Sequence, residues 1–366
     1  MPLNLVVQTA FLGDLLLSIP LLKRCKELWP NHKLALVCRK GMGDFFVKTQ
    51  LVDQVFEIKK GDKESYRKIV EAIKSQEVDY LISPHQSLRT AFFVRQIKAN
   101  HKIGFKNLPT FFAYDTQIQR DVRFPDALRQ MTLLTEKDAE LKGLLKDYLN
   151  QESPYVPKEF GRLSAPPSWA SMNLRRAVMS RPELFLTLKE KFNLTGFEDG
   201  KAILIFPGSV WATKRWTEDG FIKAGQALKA QGYHVYIMGG PGEEELAERV
   251  ATQVGVLSLA GRTAIFESAQ LIARAALLIG NDSASTHLAA VCEVPLIAVF
   301  GPTILEFGYR PWSAQSYVVQ MSQLPCRPCG KHGHKVCPIK THVCMKAISA
   351  DEVLKSAGFI LRQNSL

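Results

Sequence analysis

The sequence lacks any apolar run long enough to cross a membrane. The densest run near the N-terminus, residues 15–22, is eight residues long and is broken by Ser18 and Pro20, whereas a spanning helix needs about 20 residues. No basic segment precedes this run and Asp14 lies beside it, so we expect neither a secretory signal nor a membrane span. We therefore expect the seven cysteines to lie in a reducing cytosol, where disulfide frameworks are rare.

Several sequence motifs are also missing. The chain has no fixed-period repeat and no low-complexity tract, which argues against solenoid and disordered classes. The P-loop spacing GxxxxGK[ST] is absent, and so is a DxD motif for a divalent metal. No module combines clustered basic residues with aromatic stacking platforms, so a nucleic-acid binder is the weakest candidate.

What is present is ordinary globular composition with an excess of positive charge. Hydrophobic residues make up 46% of the 366 residues, and the formal net charge is +12. The length favours two domains, at about 150 residues for each. The charge predicts an anionic partner, which could be a nucleic acid, a phosphorylated substrate or a membrane surface.

Short apolar segments alternate with helical patterns in both halves of the chain. The predicted strands cover residues 3–8, 34–39, 52–58, 79–84 and 101–105, then 202–208, 234–240, 277–282 and 295–301. A basic amphipathic helix is predicted over 88–99, and the segment 125–198 is irregular. This alternation predicts an α/β fold with two doubly wound, Rossmann-like domains. We expect the domains to cover 1–185 and 186–348, followed by a helix over 349–366 that packs back.

Ligands of such sheets bind at the carboxyl ends of the strands, so the residues that follow each predicted strand are the candidates. Gly13-Asp14 follows the first strand. Asp14 could be a general base or could only cap a helix. After the first strand of the second half, Gly208 and Ser209 precede Lys214 and Arg215. This turn suits a phosphate, or it is an exposed basic loop.

Two further strand ends carry polar turns. Glu243 follows a glycine-rich turn at 239–242, where it could bind ribose hydroxyls or only complement a helix dipole. Residues 280–287 place Asp282, Ser283 and His287 where a helix begins. The free N–H groups of its first turn would point at a diphosphate.

Four cysteines lie close together near the C-terminus. Cys326, Cys329, Cys337 and Cys344 fall within 19 residues, with three histidines between them. They could hold a structural zinc ion, form disulfides or stay free, because the spacing is not that of a standard zinc finger. We expect this cluster to be structural and remote from turnover.

These motifs together resemble glycosyltransferase family 9, the ADP-heptose:lipopolysaccharide heptosyltransferases, and most of all its heptosyltransferase II-like members. The resemblance covers nearly the whole chain in order. It rests on VVQTAFLGDLLLSIPLL at 6–22, SLRTAFFVRQIKANHKIGF at 87–105, FPGSVWATKRW at 206–216, GGPGEEELAE at 239–248, IGNDSASTHLAA at 279–290, VFGPT at 299–303 and the cysteine-rich tail at 326–345.

The resemblance implies a GT-B fold, with the acceptor on the N-terminal domain and the nucleotide-sugar on the C-terminal domain, across a central cleft. It implies an inverting transfer of L-glycero-D-manno-heptose from ADP to the lipopolysaccharide inner core. The residues that it implies are Asp14 as the base, Lys214 at the diphosphate, Gly208, Ser209, Val210, Glu243, Asp282, Ser283 and His287 in the donor site, and Gly13, Ser87 and Arg89 at the acceptor.

The resemblance further implies that the chemistry needs no cofactor. The partners would be the donor, a lipid A-core acceptor and the anionic cytoplasmic face of the inner membrane. Many family members carry a basic residue shortly before Gly-Asp, where this chain has Gln8, so cationic help to the acceptor would come from elsewhere. The alternatives are a transferase of another nucleotide-sugar, and a non-catalytic homologue that binds a nucleotide-sugar or lipopolysaccharide.

Overall fold

The computed structural model describes residues 1–150 and 161–363, which divide into two compact units. The first unit holds residues 1–150 together with Ser168–Ser171. The second holds residues 161–167 and 172–363. Each unit is built on a six-stranded sheet whose strand pairs are all parallel.

The first unit has the strand order β3-β2-β1-β4-β5-β6. Its strands are β1 (Leu3–Val7), β2 (Lys33–Arg39), β3 (Gln54–Ile58), β4 (Val78–Ser83), β5 (His101–Phe105) and β6 (Thr116–Ile118). Its helices are α1 (Leu12–Leu16), α2 (Ile19–Leu28), α3 (Asp44–Lys48), α4 (Lys63–Lys74), α5 (Leu88–Gln96), α6 (Asp126–Met131) and α7 (Ala139–Leu149).

The second unit repeats this order as β12-β11-β10-β7-β8-β9. Its strands are β7 (Ala202–Phe206), β8 (His234–Ile237), β9 (Leu257–Ser258), β10 (Leu277–Asn281), β11 (Leu296–Phe300) and β12 (Ser316–Gln320). Its helices are α8 (Arg175–Met179), α9 (Pro182–Phe192), α10 (Glu218–Ala230), α11 (Glu244–Val254), α12 (Ile265–Ile272), α13 (Ala284–Val291), α14 (Val343–Lys346) and α15 (Ala350–Gln363).

Both sheets therefore have the Rossmann strand order, in which the first strand lies between the second and the fourth. The central strands β1, β7, β10 and β11 are buried along their whole length, as continuous apolar sequence predicts for a sheet covered on both faces. In this order, a crevice opens at the carboxyl ends of the first and fourth strands. In these two units those strands are β1 with β4, and β7 with β10.

The predicted α/β class with two Rossmann-like sheets is confirmed, with differences at the edges. All nine predicted strands form. The prediction missed the edge strands β6, β9 and β12, which have only two to five residues each. The last of the predicted strands, 295–301, is not the last strand of the structure, because β12 follows it and pairs with β11 from Leu296 to Phe300.

The segment after residue 171 belongs to the second unit, whereas the sequence pattern put the boundary at residue 185. The Leu174 N–H donates to the Val291 carbonyl, and the Gln270 side chain donates to the Val178 carbonyl. These bonds attach α8 to α12 and α13. The C-terminal helix α15 also packs within the second unit, where Val353, Ala357 and Ile360 join the core that β7 and α10 share.

None of the helices in the described residues is long and apolar enough to span a membrane.

Candidate functional site

A buried ion pair lies at the carboxyl edge of the second sheet. Lys214 follows β7 and Asp282 follows β10, and their Nζ and Oδ2 atoms are 2.5 Å apart. Both side chains are shielded from water, at 12% and 5% exposure. The Thr303 hydroxyl, which follows β11, donates to the same Asp282 oxygen at 2.7 Å. Three loops from three neighbouring strands therefore meet at one carboxylate.

The ammonium group of Lys214 has three N–H donors, and the ion pair with Asp282 uses one of them. The contact with Asp282 sets the position of the ammonium group, whose other two N–H groups can donate to a further acceptor. The structure gives Asp282 a contact with Lys214, whereas the resemblance implied that Asp282 is a residue of the donor site.

Asn281 joins the two central strands at this edge and is a residue that sequence reasoning did not select. Its amide nitrogen donates to the carbonyls of Pro207 and Gly208, at 2.8 and 3.2 Å. Its amide oxygen accepts the Trp216 N–H at 2.8 Å. The side chain is fully buried, so it fixes the loop that carries Lys214 against β10. The sequence signal for this role was an asparagine at the end of an apolar strand, directly before Asp282.

Glu243 lies between the turns that follow β7 and β8. Its Oε2 accepts the Gly240 N–H at 2.9 Å. A Cβ atom at position 208 would lie 2.1 Å from its carboxyl carbon, so a side chain at this position would displace the Glu243 carboxylate. The half-buried Glu243 carboxylate is thus fixed at the sheet edge and keeps acceptor capacity for a hydroxyl group.

The other predicted donor-site residues have different surroundings. Ser209 is buried and its carbonyl accepts the Arg215 guanidinium at 2.8 Å, whereas Val210 is 65% exposed. Ser283 is the N-cap of α13, and its hydroxyl lies 2.9 Å from that of Ser285. His287 is buried one turn further along α13.

In the first unit, Asp14 lies in the first turn of α1, directly after β1. Its Oδ2 accepts the Phe11 N–H at 3.2 Å, so the capping contact that the sequence allowed is present. Burial and the nearby negative charge of Asp126 raise the pKa of Asp14 from 3.8 to about 6. A carboxylate with this pKa is a stronger base than an ordinary aspartate and is still ionised at neutral pH.

A buried hydrogen-bond network connects Asp14 to α6. Asp126 pairs with Arg120 and accepts the Gln130 amide at 2.9 Å. The same Gln130 amide donates to the Asp14 carbonyl at 3.3 Å, and its oxygen accepts the Ser18 hydroxyl at 2.5 Å. Sequence reasoning missed Asp126, which lies in the irregular segment 125–198, and Arg120, which lies between that segment and the predicted strand 101–105.

A second polar cluster lies where β1 and β4 end. The hydroxyls of Thr9 and Thr90 both lie 2.8 Å from His85 Nδ1. Ser87 is the N-cap of α5 and contacts the Thr90 hydroxyl at 2.9 Å. Burial, Lys60 and Arg39 lower the pKa of His85 to about 4, so its ring is neutral at physiological pH.

Three cations surround this cluster. Arg39 donates to the Thr9 carbonyl at 2.8 Å, and its guanidinium lies 4.3 Å from the centre of the Phe11 ring. Burial and the charges of Arg39 and Arg89 lower the pKa of Lys60. Arg39 is the last residue of β2 and Lys60 lies two residues after β3, so both cations lie at the carboxyl ends of neighbouring strands.

The cysteine-rich segment contacts the Lys214 loop, and the expectation that it is structural and remote from turnover stays a prediction. The Thr213 hydroxyl accepts the His334 N–H at 2.7 Å, and the Thr213 N–H donates to the His334 carbonyl at 3.1 Å. The Thr213 carbonyl lies 2.8 Å from His342 Nε2. Arg327 donates to the carbonyl of Thr303 at 2.6 Å. The segment thus braces residues on both sides of the ion pair.

All four cysteines of this segment are free thiols. Burial raises the pKa of Cys337, but the backbone N–H groups of His342, Ile339, Thr341 and Lys340 outweigh it, so the net pKa is lowered. Within the described residues, no three His, Cys, Asp or Glu side chains are grouped so that they could hold a metal ion. The structure therefore gives the predicted zinc site no support.

Comparison with known proteins shows that the chain is similar to bacterial heptosyltransferases. Residues 66–340 match the family model described as glycosyltransferase family 9 (heptosyltransferase). A lipooligosaccharide heptosyltransferase 2 of Campylobacter jejuni is 34% identical over 193 residues, which are 50% of this chain and 59% of that relative. The chain therefore spans only about three fifths of this relative's length.

Two further comparisons extend over nearly the whole chain. A lipooligosaccharide heptosyltransferase 2 of Haemophilus influenzae is 24% identical over 330 residues, which are 87% of this chain and 88% of that relative. The solved structure of the Escherichia coli ADP-heptose lipopolysaccharide heptosyltransferase II superposes with a TM-score of 0.75, at 18% identity and with both chains fully covered. At that identity the likeness shows the fold.

The environment of Asp14 leads to a prediction about its titration. We expect carboxyl-carbon NMR to show that Asp14 titrates near pH 6, and that Asp126→Asn lowers this pKa, because the variant removes a negative charge and leaves Arg120 to stabilise the Asp14 carboxylate. Glu71→Gln, an exposed carboxylate paired with Lys74 in the same unit, is the matched control. A pKa of Asp14 near 4 in the parent chain would contradict this account.

The contacts of Thr213 lead to a second prediction. Thr213→Val removes the hydroxyl that accepts the His334 N–H, so we expect the free energy of unfolding to fall by about 1–3 kcal/mol. Urea denaturation measures this. Thr187→Val is the control, because Thr187 is exposed and its hydroxyl bonds only within its own helix. Equal losses in the two variants would show that the brace does not stabilise the second unit.

Proposed function

Because the chain belongs to glycosyltransferase family 9, we propose that it transfers L-glycero-D-manno-heptose from ADP to a hydroxyl of the lipopolysaccharide inner core, with inversion at the anomeric carbon. The observation that carries this proposal is the placement of the Lys214–Asp282 ion pair and of Glu243 at the carboxyl ends of the adjacent strands β10, β7 and β8. A Rossmann-type sheet binds nucleotides at this position.

In the proposal, the second unit binds the donor. The Lys214 ammonium donates to the diphosphate and stabilises the negative charge that builds up on ADP as its bond to the sugar breaks. Asp282 and Thr303 hold the ammonium in position. The first-turn N–H groups of α13 after Ser283 assist at the same anion, and Glu243 accepts hydrogen bonds from the ribose hydroxyls. Charge stabilisation thus comes from the chain's own groups, with no metal ion assigned to the chemistry.

The first unit binds the acceptor and supplies the base. The Asp14 carboxylate takes the proton of the acceptor hydroxyl while its oxygen forms the new bond to the anomeric carbon. A pKa of about 6 suits this role, because the group is ionised at neutral pH and still has appreciable basicity. Attack on the face opposite to the departing ADP accounts for inversion.

An anionic acceptor fits the cations of the first unit. Burial and the charges of Arg39 and Arg89 lower the pKa of Lys60, so an anion bound among these cations would relieve their mutual repulsion. Sugar acids and phosphates of a lipid A-core acceptor carry such charges. The proposed place of action is the cytoplasmic face of the inner membrane, where the acceptor's lipid anchor holds it.

A donor screen tests the proposal directly. ADP-heptose, ADP-mannose and UDP-sugars are each incubated with the chain and a truncated lipopolysaccharide, and the product is identified by mass. Heptose addition from ADP-heptose alone supports the proposal. Addition of another sugar would favour a different nucleotide-sugar transferase of this family, and donor binding without any product would favour a non-catalytic homologue.

We expect Asp14→Asn to reduce kcat by about 10²–10⁴-fold, the usual contribution of a general base. The amide can still accept the Phe11 N–H, so the cap of α1 and the donor affinity should be retained. In the parent chain, kcat/KM should fall as the pH drops through about 6, because protonation of Asp14 removes the base. Asp44→Asn, an exposed aspartate of α3, is the control. Unchanged turnover in Asp14→Asn would exclude Asp14 as the base.

Lys214 is tested with its buried partner taken into account. Lys214→Ala alone leaves the Asp282 charge buried and unpaired, which is strongly destabilising, so the double variant Lys214→Ala, Asp282→Asn is compared with Asp282→Asn. We expect the loss of the cation to weaken ADP binding by about 10–150-fold in calorimetry, because charge-assisted hydrogen bonds contribute about 1.5–3 kcal/mol. Lys223→Ala, an exposed lysine of the same unit, is the control. Equal affinities would mean that Lys214 does not bind the diphosphate.

A further inference from the structure

A patch of exposed apolar side chains lies on the first unit. Leu88 and Phe92 project from α5 with 50% and 58% exposure, and Leu108 and Phe111 project from the helical turn Leu108–Ala113 with 87% and 59% exposure. Exposed large apolar side chains are ordinary when scattered singly, whereas a contiguous group marks a binding surface.

Ring contacts through Phe112 connect Phe92 of α5 with Phe111 of the helical turn Leu108–Ala113. The Phe92 and Phe112 rings are 5.2 Å apart, and the Phe111 and Phe112 rings are 6.1 Å apart. The Arg95 guanidinium lies 5.7 Å from the centre of the Phe112 ring. We call this surface the aromatic-basic patch, defined by Leu88, Phe92, Arg95, Lys106, Leu108 and Phe111.

The chain around this patch carries charge of one sign. Between Asp79 and Asp115 the sequence has no acidic residue and five cationic ones, namely Arg89, Arg95, Lys98, Lys102 and Lys106. Arg95, Lys98 and Lys106 are exposed. Apolar side chains that project beside exposed cations are the combination with which peripheral proteins bind an anionic bilayer.

We infer that the aromatic-basic patch docks the first unit on an anionic lipid bilayer, with Leu108 and Phe111 entering the headgroup region. This inference rests on the proposed function only in that the acceptor would be anchored in such a bilayer. Contact of the patch with lipid would hold the unit that carries Asp14 at the surface that presents the acceptor.

Other occupants fit the patch less well. A second copy that used the same face would bring two acid-free, cationic segments together, and like charges repel. Single-stranded nucleic acid stacks on aromatic faces, but the most exposed side chain is the aliphatic Leu108. An aliphatic side chain gains free energy by leaving water for acyl chains.

The test is flotation of the full chain with vesicles of equal phosphatidylglycerol and phosphatidylethanolamine, compared with pure phosphatidylcholine. We expect binding to the anionic vesicles that weakens as salt is added. The double variant Leu108→Ser, Phe111→Ser should bind about 10-fold or more weakly, because it removes two large apolar groups. The double variant Arg95→Gln, Lys106→Gln should lose about fivefold for each charge at low salt.

Controls separate this inference from the transferase proposal. Leu186→Ser removes an apolar side chain of similar exposure from α9, and Arg176→Gln with Lys201→Gln removes two charges from the second unit, so both should bind vesicles like the parent chain. Transfer to a lipid-free core oligosaccharide should be unchanged in Leu108→Ser, Phe111→Ser. If no transfer is found with any donor, the vesicle result still decides the docking surface.

Three results would overturn the inference. The first is equal vesicle binding by the parent chain and the Leu108→Ser, Phe111→Ser variant. The second is a dimer in light scattering that this variant converts to a monomer, because a second copy would then occupy the patch. The third is tighter binding to a single-stranded RNA homopolymer than to the anionic vesicles.

Discussion

The buried ion pair between Lys214 and Asp282 is the interaction on which the rest of the second unit's site depends. A charge with so little access to water persists only when a partner of opposite sign and further hydrogen bonds compensate its lost hydration. Thr303 supplies one such bond to Asp282. Arg327 then holds the Thr303 backbone, and His334 and His342 hold Thr213 next to Lys214. Hydrogen bonds thus connect this pair of charges to the cysteine-rich segment, whose His334 and His342 lie more than a hundred residues after Lys214 in the sequence.

The two units have the same strand order, but the key charged groups at the edges of their sheets have opposite sign. At the edge of the second sheet, a buried carboxylate pairs with a cation. In the first unit, a carboxylate is made more basic by burial and by the like charge of Asp126, while three cations lie near the neutral His85. Equivalent positions after the first strand thus carry Asp14 in one unit and the Lys214 loop in the other. The strand order fixes where polar side chains gather, and the local sequence fixes their sign.

The sequence predicted the parts of this arrangement that depend on local pattern. Continuous apolar strands and the turns after them led to both sheets and to the positions of Asp14, Lys214, Glu243 and Asp282. Contacts between distant segments carried no local signal. The Asp126–Gln130 network and the brace on Thr213 are examples, because each pairs residues more than a hundred positions apart. The short edge strands β6, β9 and β12 were missed because a few residues do not establish an alternation.

The strand order also sets how each unit must fold. In the first sheet Leu3 pairs with Val78, and in the second Ile203 pairs with Leu277, so in both units about 75 residues of chain must form a closed loop before the two central strands meet. The length-dependent part of the entropy for such a loop is about 4 kcal/mol. The central strand pairs β1–β4 and β7–β10 cannot form as hairpins, because parallel strands need crossover connections. Both units therefore complete their most buried contacts late in folding, and the unpaired edges of β1 and β7 are their most aggregation-prone surfaces until then.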